Sequence, residues 1–294
     1  MDVSIIIINY NTLQLTSACI DSIIKHTKRV SYEIILVDNA STDGSSDLFS
    51  TDFRIKYIQN KCNYGFGKAN NIGAESALGK YLFLINSDTL LIEDSISHMF
   101  DYMECNLDTA SCGVNLIDYQ LNDSCCHGKF PSLLNEFSKI GFYIFYKKYF
   151  DKWISTSQKI FQGNINDVDY ISGADIFIRK DIFEEFGGFD TIFFMYYEET
   201  DLYFRMKQKG YHSKILSDSS IIHLEGASFS EEKDVFNIKR FEMQYTSKIK
   251  YFVKHKRKYQ VILVKLFTLL SILSHPHVYK GYNKQLIYTI INTK

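Results

Sequence analysis

The chain is poor in the features that mark several common classes. Its 294 residues hold two prolines, which excludes a Pro-rich or disordered polymer. The start has no basic segment, apolar core and small-residue cleavage site, so no secretory leader is expected. No apolar run reaches the ~20 residues a spanning helix needs. The six cysteines include no CxxC pair, and adjacent Cys125 and Cys126 match no zinc spacing, so reduced thiols are expected. A formal net charge of −1 gives no global attraction for nucleic acid.

What is present is apolar and aromatic. Hydrophobic residues make up 46% of the chain and aromatics 15%, with 21 Tyr and 23 Phe, enough for a sizeable core. Residues 3–8 are a continuous apolar run, the mark of a strand buried on both faces. Asn11 or Thr12 can cap a helix whose stripe is Leu13, Ser17, Ile20, Ile23 and Ile24. Strands are expected at 33–37, 55–59, 81–85, 176–178 and 220–223. Helices are expected at 67–78, 92–103 and 198–209, the last stopped by Gly210. The order loosens from about residue 115, and 133–161 is crowded with aromatics and Trp153. Residues 234–294 are helical in pattern.

Strands alternating with helices predict an α/β fold with a mainly parallel sheet. Ligands bind beyond the carboxyl ends of such strands. Asn9–Asn11, Asp38 and Asn86–Asp88 all fall there, so polar residues far apart in sequence converge on one edge. The cluster FMYYEETDLYFR at 194–205 adds Glu198, Glu199 and Asp201 at a helix start. Carboxylates this close repel, and one should carry a raised pKa suited to a general base. The helix dipole alone also favours acids there.

These elements together resemble a family 2 glycosyltransferase of the GT-A fold. The resemblance covers roughly residues 3–230 and rests on VSIIIINYN (3–11), VDNASTDGS (37–45), NYGFGKANNIG (63–73) and LINSDT (84–89). It continues through ISGADIFIRKDIFEEFGGFD (171–190), YYEETDLYFR and IIHLEGAS (221–228). The GGFD…FFMYYEETDL stretch is similar to rhamnosyltransferase-like enzymes of bacterial surface polysaccharide. The glycines of 63–73 are wrongly spaced for a GxGxxG dinucleotide fingerprint, which argues against a nicotinamide oxidoreductase.

The resemblance implies roles. Ile8, Tyr10, Asn11 and Asp38 would hold the nucleotide base, Tyr10 by stacking and Asp38 by accepting a base N–H. Lys68, Asn70 and Asn71 would approach the nucleotide sugar. Asn86, Ser87 and Asp88 stand where the family carries its DxD motif, with Asp88 the only carboxylate. Asp88 and His223 would hold Mn²⁺ or Mg²⁺ against the diphosphate. Gly173, Ala174 and Asp175 would wall the sugar and acceptor, Asp175 touching a hydroxyl or only capping its strand. Glu199 aligns with the family base. Glu stands where Asp is usual, which leaves Glu198 and Glu199 as alternatives, and Asp201 would fix the helix start.

The implied activity is inverting transfer from a nucleoside-diphosphate sugar, of dTDP or UDP type, to a glycan or polyprenyl-linked acceptor. A non-catalytic nucleotide-sugar-binding protein is the alternative. Residues 1–230 would form the transferase domain (1–115 donor half, 116–230 acceptor half) and 231–294 a helical extension. Residues 239–258 hold eight Lys or Arg against one acid, Glu242, and 261–273 are largely apolar. That pairing suits a cytoplasmic protein touching an anionic inner leaflet through 239–273.

Overall fold

The computed structural model describes residues 1–150, 163–224, 237–275 and 281–293. The expected loop at 225–228 and Trp153 lie outside these residues. Two compact units are present. One comprises Met1–Gly128, Gln158–Thr191 and Glu198–Ser230; the other comprises Lys129–Ser157, Ile192–Tyr197 and Glu231–Lys294. The expected cut at 230 therefore misses two segments that join the C-terminal helices. The expected division at 115 falls inside a strand.

The first unit opens with β1 (Val3–Asn9), α1 (Leu13–His26), β2 (Tyr32–Asp38), α2 (Ser45–Phe49), β3 (Lys56–Gln59) and α3 (Phe66–Glu75). Next come β4 (Tyr81–Asn86), β5 (Thr89–Leu91), α4 (Ser95–Cys105), β6 (Thr109–Ile117) and β7 (His127–Gly128). After the second unit's first segment, which holds α5 (Leu133–Ser138), a 3-10 turn (Phe142–Tyr146) and α6 (Lys147–Tyr149), the sheet resumes. It adds β8 (Ile165–Val168), β9 (Tyr170–Ile171), β10 (Asp175–Arg179), α7 (Lys180–Glu185), α8 (Glu198–Gln208) and β11 (His212–His223).

The main sheet runs β3-β2-β1-β4-β10-β6-β11-β5, with β8 also on β11. Strands β3, β2, β1 and β4 are mutually parallel, and β11 is parallel to β6. Strand β10 runs antiparallel between β4 and β6. The apolar runs of β1, β2 and β4 are buried because helices cover such a parallel sheet. Helix α1 buries Thr16, Cys19, Ile20 and Ile23 rather than the whole expected stripe. Leu13, Ser17 and Ile24 are only half-buried. Helix α4 starts at Ser95, later than expected, because the Asp94 side chain accepts from the Ser97 N–H. Gly210 ends α8 at φ +89°, the left-handed cap expected of it. Strand β11 is twelve residues long where only four were expected, and β6 was not foreseen. All six cysteines are free thiols.

The second unit adds α9 (Ile238–His255), α10 (Lys258–Ser274) and α11 (Asn283–Asn292). Phe137 of α5 packs edge-on against Phe267 of α10, with ring centres 5.4 Å apart. Beneath them, Lys248 Nζ of α9 donates to Glu136 Oε2 at 2.7 Å, and Lys139 Nζ donates to the other carboxylate oxygen. Burial pushes the Glu136 pKa up, but the two ammoniums outweigh it and hold it at about 2. Among the described residues no helix is long and apolar enough to cross a membrane.

Candidate active site

Parallel register aligns the carboxyl ends of three strands. Asn9 pairs with Asp38, and Ile8 pairs with Asn86. Asn9 is fully buried and joins the three segments beyond them. Its Nδ2 donates to Asp38 Oδ1 at 2.7 Å and to Ser41 Oγ at 3.0 Å. Its Oδ1 accepts from Thr12 and Thr16 at 2.8 and 2.9 Å. The Thr12 hydroxyl lies 3.1 Å from that of Ser87, which ties in the Asn86-Ser87-Asp88 turn.

This network alters the expected role of Asp38. Its carboxylate is fully buried and bonded to Asn9, the Ser41 hydroxyl and the Ser41 N–H. The group expected to meet a base thus organises the loop after β2. Asn11, at φ +56°, accepts from Thr42 N–H through Oδ1 at 2.7 Å and fixes the same loop. Tyr10 is half-exposed beside them, and Ile8 is half-buried. Ser41 and Thr16 were not foreseen; the short polar side chains of VDNASTDGS were the available signal for Ser41.

Helix α3 contributes unequally. Lys68 is exposed, with Nζ 4.0 Å from the Tyr64 ring centre. Asn70 is buried and its Oδ1 has no hydrogen-bond partner among the described residues. Asn71, expected at the sugar, is spent elsewhere: its amide donates to Phe189 O at 2.8 Å and accepts from Phe189 N–H at 2.9 Å. It therefore clamps the Gly187-Gly188-Phe189 turn. Gly188 sits at φ +67°, where a Cβ would come within 2.5 Å of Asn71 Oδ1, so only glycine fits.

Arg205, which the sequence reading did not single out, clamps that turn to α8. Its guanidinium donates to Phe186 O at 2.6 Å, Gly188 O at 2.8 Å and Asp201 Oδ2 at 2.8 Å. Asp201 thus holds Arg205 one turn on; the i,i+4 spacing was the missed signal. Gly67 of α3 abuts Glu198, where a Cβ would lie 3.3 Å from the Glu198 Cβ. Glu198 is buried and Glu199 half-buried at the helix start. Burial pushes the Glu199 pKa up to about 7, against two backbone N–H groups that favour the charged form. The ordinary helix-terminus effect would lower it, so desolvation wins here.

Residues 173–175 join these parts. Gly173 faces the Phe66 ring, and Ala174 O accepts from Asn86 N–H at 3.2 Å. Asp175 is fully buried; Oδ2 accepts from Val114 N–H at 2.8 Å. Burial pushes its pKa well above the ordinary carboxylate value, and a side chain with no exposed surface is a strand residue and not a solvent-facing sugar contact.

Strand pairing closes the remaining gap. His223 pairs with Thr89 across β11 and β5, which brings His223 Nε2 to 3.4 Å from Asp88 Oδ1. The buried Nδ1 of His223 has no hydrogen-bond partner among the described residues. A carboxylate and an imidazole converging in this way fit a divalent cation. No group of three or more His, Cys, Asp or Glu gathers among the described residues, so a cation here would take further oxygens from a ligand.

An open α/β sheet with its polar site at the strand ends, an acidic helix start and a carboxylate–histidine pair defines the GT-A class of transferase fold. The chain belongs to glycosyl transferase family 2, whose model matches residues 4–186. It is 37% identical over 107 residues to an uncharacterized glycosyltransferase of Rickettsia felis, covering 35% of this chain and 17% of that protein. It is 31% identical over 120 residues to the poly(ribitol-phosphate) beta-glucosyltransferase of Bacillus spizizenii, covering 38% and 19%. Over 104 residues it is 34% identical to WfaP of Escherichia coli, a UDP-Glc:alpha-D-GlcNAc-diphosphoundecaprenol beta-1,3-glucosyltransferase, covering 35% and 41%. The matched segments are thus less than half of each relative. In fold it is similar to S. aureus TarS 1-349 in complex with UDP, at TM-score 0.58 and 13% identity, covering 98% of this chain and 79% of that one.

Proposed function

We propose that the chain is an inverting glycosyltransferase that moves a hexose from a nucleoside-diphosphate sugar to a glycan or polyprenyl-linked acceptor of surface polysaccharide, on the cytoplasmic face. The observation that carries this reading is Glu199, a half-buried carboxylate with a pKa near 7 at the start of α8. A base poised there takes a proton at neutral pH without binding it too tightly. The glucosyltransferase activities of the Bacillus and Escherichia relatives, with UDP bound to TarS, favour a UDP-hexose over dTDP-rhamnose as the first donor to test.

The geometry supports the following roles. Tyr10 offers an exposed ring for the base, over a loop held rigid by Asp38 and Asn9. Lys68 offers a cation to the diphosphate, and the amides of Asn86 and Asn70 are offered to the sugar. Glu199 removes the acceptor hydroxyl proton as that oxygen attacks the anomeric carbon. The new C–O bond forms opposite the departing phosphate oxygen, so the configuration inverts and the nucleoside diphosphate leaves. Asp88 and His223 would hold Mn²⁺ or Mg²⁺, which when bound neutralises charge on the leaving diphosphate. The imidazole favours Mn²⁺ over Mg²⁺.

The test is release of nucleoside diphosphate from UDP-glucose, UDP-galactose, UDP-N-acetylglucosamine and dTDP-rhamnose, with and without a polyprenyl-diphosphate sugar. Acceptor-dependent release supports transfer. Donor binding with no release, across donors and acceptors, would leave the nucleotide-sugar-binding alternative standing.

A further inference from the structure

Helix α10 is apolar on two opposite faces. Val264, Thr268 and Ile272 are buried within the second unit. Tyr259, Ile262, Leu266, Leu270 and Leu273 are exposed, with Ile262 at 67% and Leu273 at 69%. At ~100° per residue these five fall within an arc of about 80°, and they run for about 21 Å along the helix. A single exposed leucine means nothing, but a straight apolar stripe on an otherwise packed helix needs a covering.

A second exposed apolar group adjoins it. Phe137, which packs on Phe267 of α10, stacks on Phe142 at 5.2 Å, and Phe142 leads on to Phe145. The Ser271 hydroxyl donates to Lys139 O, fastening α10 to this segment. Ile144 and Phe145 are 69% and 85% exposed.

The charge around these groups has one sign. The second unit holds 18 Lys or Arg against 6 Asp or Glu, a formal +12, while the first holds 15 against 28, a formal −13. Residues 243–294 contain ten Lys or Arg and no acid. Lys147, Lys148, Arg257, Lys258 and Lys284 are exposed beside the apolar surface or on the neighbouring helix α11.

We infer that this face of the second unit, the α10 stripe with the Phe142–Tyr146 turn, seats on an anionic phospholipid surface. The apolar side chains enter the headgroup–acyl boundary and the ammonium and guanidinium groups meet lipid phosphates. A second copy presenting the same face would bring together two units of formal charge +12, each with 18 Lys or Arg against 6 Asp or Glu, which disfavours a symmetric dimer here. The inference stands on the second unit alone, so vesicle binding and sugar transfer can fail separately.

The experiment is flotation of the full chain with vesicles of phosphatidylcholine carrying roughly 30% phosphatidylglycerol, or of phosphatidylcholine alone, at low and high salt. Binding is expected with anionic vesicles at low salt and should fall at least about tenfold with neutral vesicles or high salt. Leu266→Asp/Leu270→Asp should lose about tenfold or more in binding, while the first-unit control Phe53→Asp/Leu78→Asp, also exposed, binds as the native chain does. If the Asp pair does not melt cooperatively, Ile262→Gln/Leu273→Gln replaces it with the same expectation. Native-like binding of a folded stripe variant would overturn the inference, as would no binding of the native chain. So would light scattering that shows a native oligomer dissociated by the stripe variant, which would assign the stripe to a second copy.

Discussion

His223 Nε2 lies 3.4 Å from Asp88 Oδ1, although 135 positions separate the two residues. The antiparallel register of β5 on β11 makes that contact, by setting His223 opposite Thr89. One carboxylate and one imidazole are few ligands, so each should matter. Asp88→Asn should weaken Mn²⁺ binding at least about tenfold, followed by electron paramagnetic resonance of free Mn²⁺ in the presence of UDP. His223→Ala should also weaken it. Unchanged Mn²⁺ binding in both variants would remove the pair from a metal role.

Glu199 sets the second prediction. Glu199→Gln should retain donor binding and lower turnover by roughly 10²–10⁴-fold, the usual worth of a general base. The native chain should lose kcat as pH falls through about 7, because protonation removes the base. Equal loss in Glu198→Gln alone would move the role to Glu198.

The same group makes a separate prediction about stability. Its folded pKa lies above the unfolded carboxylate value, so the folded state binds the proton more tightly. That contribution is fully present below pH ~4.5 and is lost as pH rises through about 7. Glu199→Gln keeps a neutral side chain at every pH. It should therefore gain stability relative to the native chain between pH 5 and 8, by no more than ~3 kcal/mol, read from denaturant melts. A pH-independent difference would show that Glu199 is not the group held neutral.

Much of the donor half was legible because burial on both faces writes itself as an unbroken apolar run. Residues 5–8, 34–37 and 81–85 carry that mark, and each is followed by a polar residue at the site edge. Strand β6 did not, because TASCGVNLI is buried with small and polar side chains in a sheet centre. Strand β11 breaks its apolar pairs Ile215-Leu216 and Ile221-Ile222 with the polar blocks His212-Ser213-Lys214 and Ser217-Asp218-Ser219-Ser220, so only its last apolar pair stood out. The acidic cluster was readable by composition, but the raised pKa of Glu199 comes from burial and not from the carboxylate repulsion that the crowding suggested. The place of Asn71 was not legible, since it binds main-chain atoms of a turn that no pattern announces, and Arg205 was marked only by its i,i+4 spacing from Asp201. Asp38 was placed correctly at the strand end, yet its neighbours Asn9 and Ser41 take up its carboxylate.

Arg205 is a positioning residue for the start of α8. Arg205→Lys keeps the charge but loses the fork that reaches Phe186 O, Gly188 O and Asp201 together. Turnover should fall about tenfold or more with a smaller change in the donor KM, since the donor loops lie on other strands. A fall in melting temperature with kcat preserved would make the clamp structural only.

The buried Lys248–Glu136 pair gives the last prediction. Removing Lys248 leaves the buried Glu136 carboxylate with only the half-exposed Lys139 as its ionic partner, so Lys248→Met should destabilise the second unit by about 3 kcal/mol. The double change Lys248→Met/Glu136→Leu removes both charges and should recover most of that loss. The pH dependence follows from the sign of the Glu136 shift. Its pKa is depressed to about 2, so its contribution is present above the unfolded carboxylate value and is lost as pH falls from about 4.5 toward 2. Native chain and double variant should therefore lie close together at neutral pH and separate in acid, where only the native chain loses this contribution, monitored by helical circular dichroism of urea melts. If Lys248→Met melts like the native chain at pH 7, the pair contributes nothing and the helices α5, α9 and α10 are held by their apolar contacts alone.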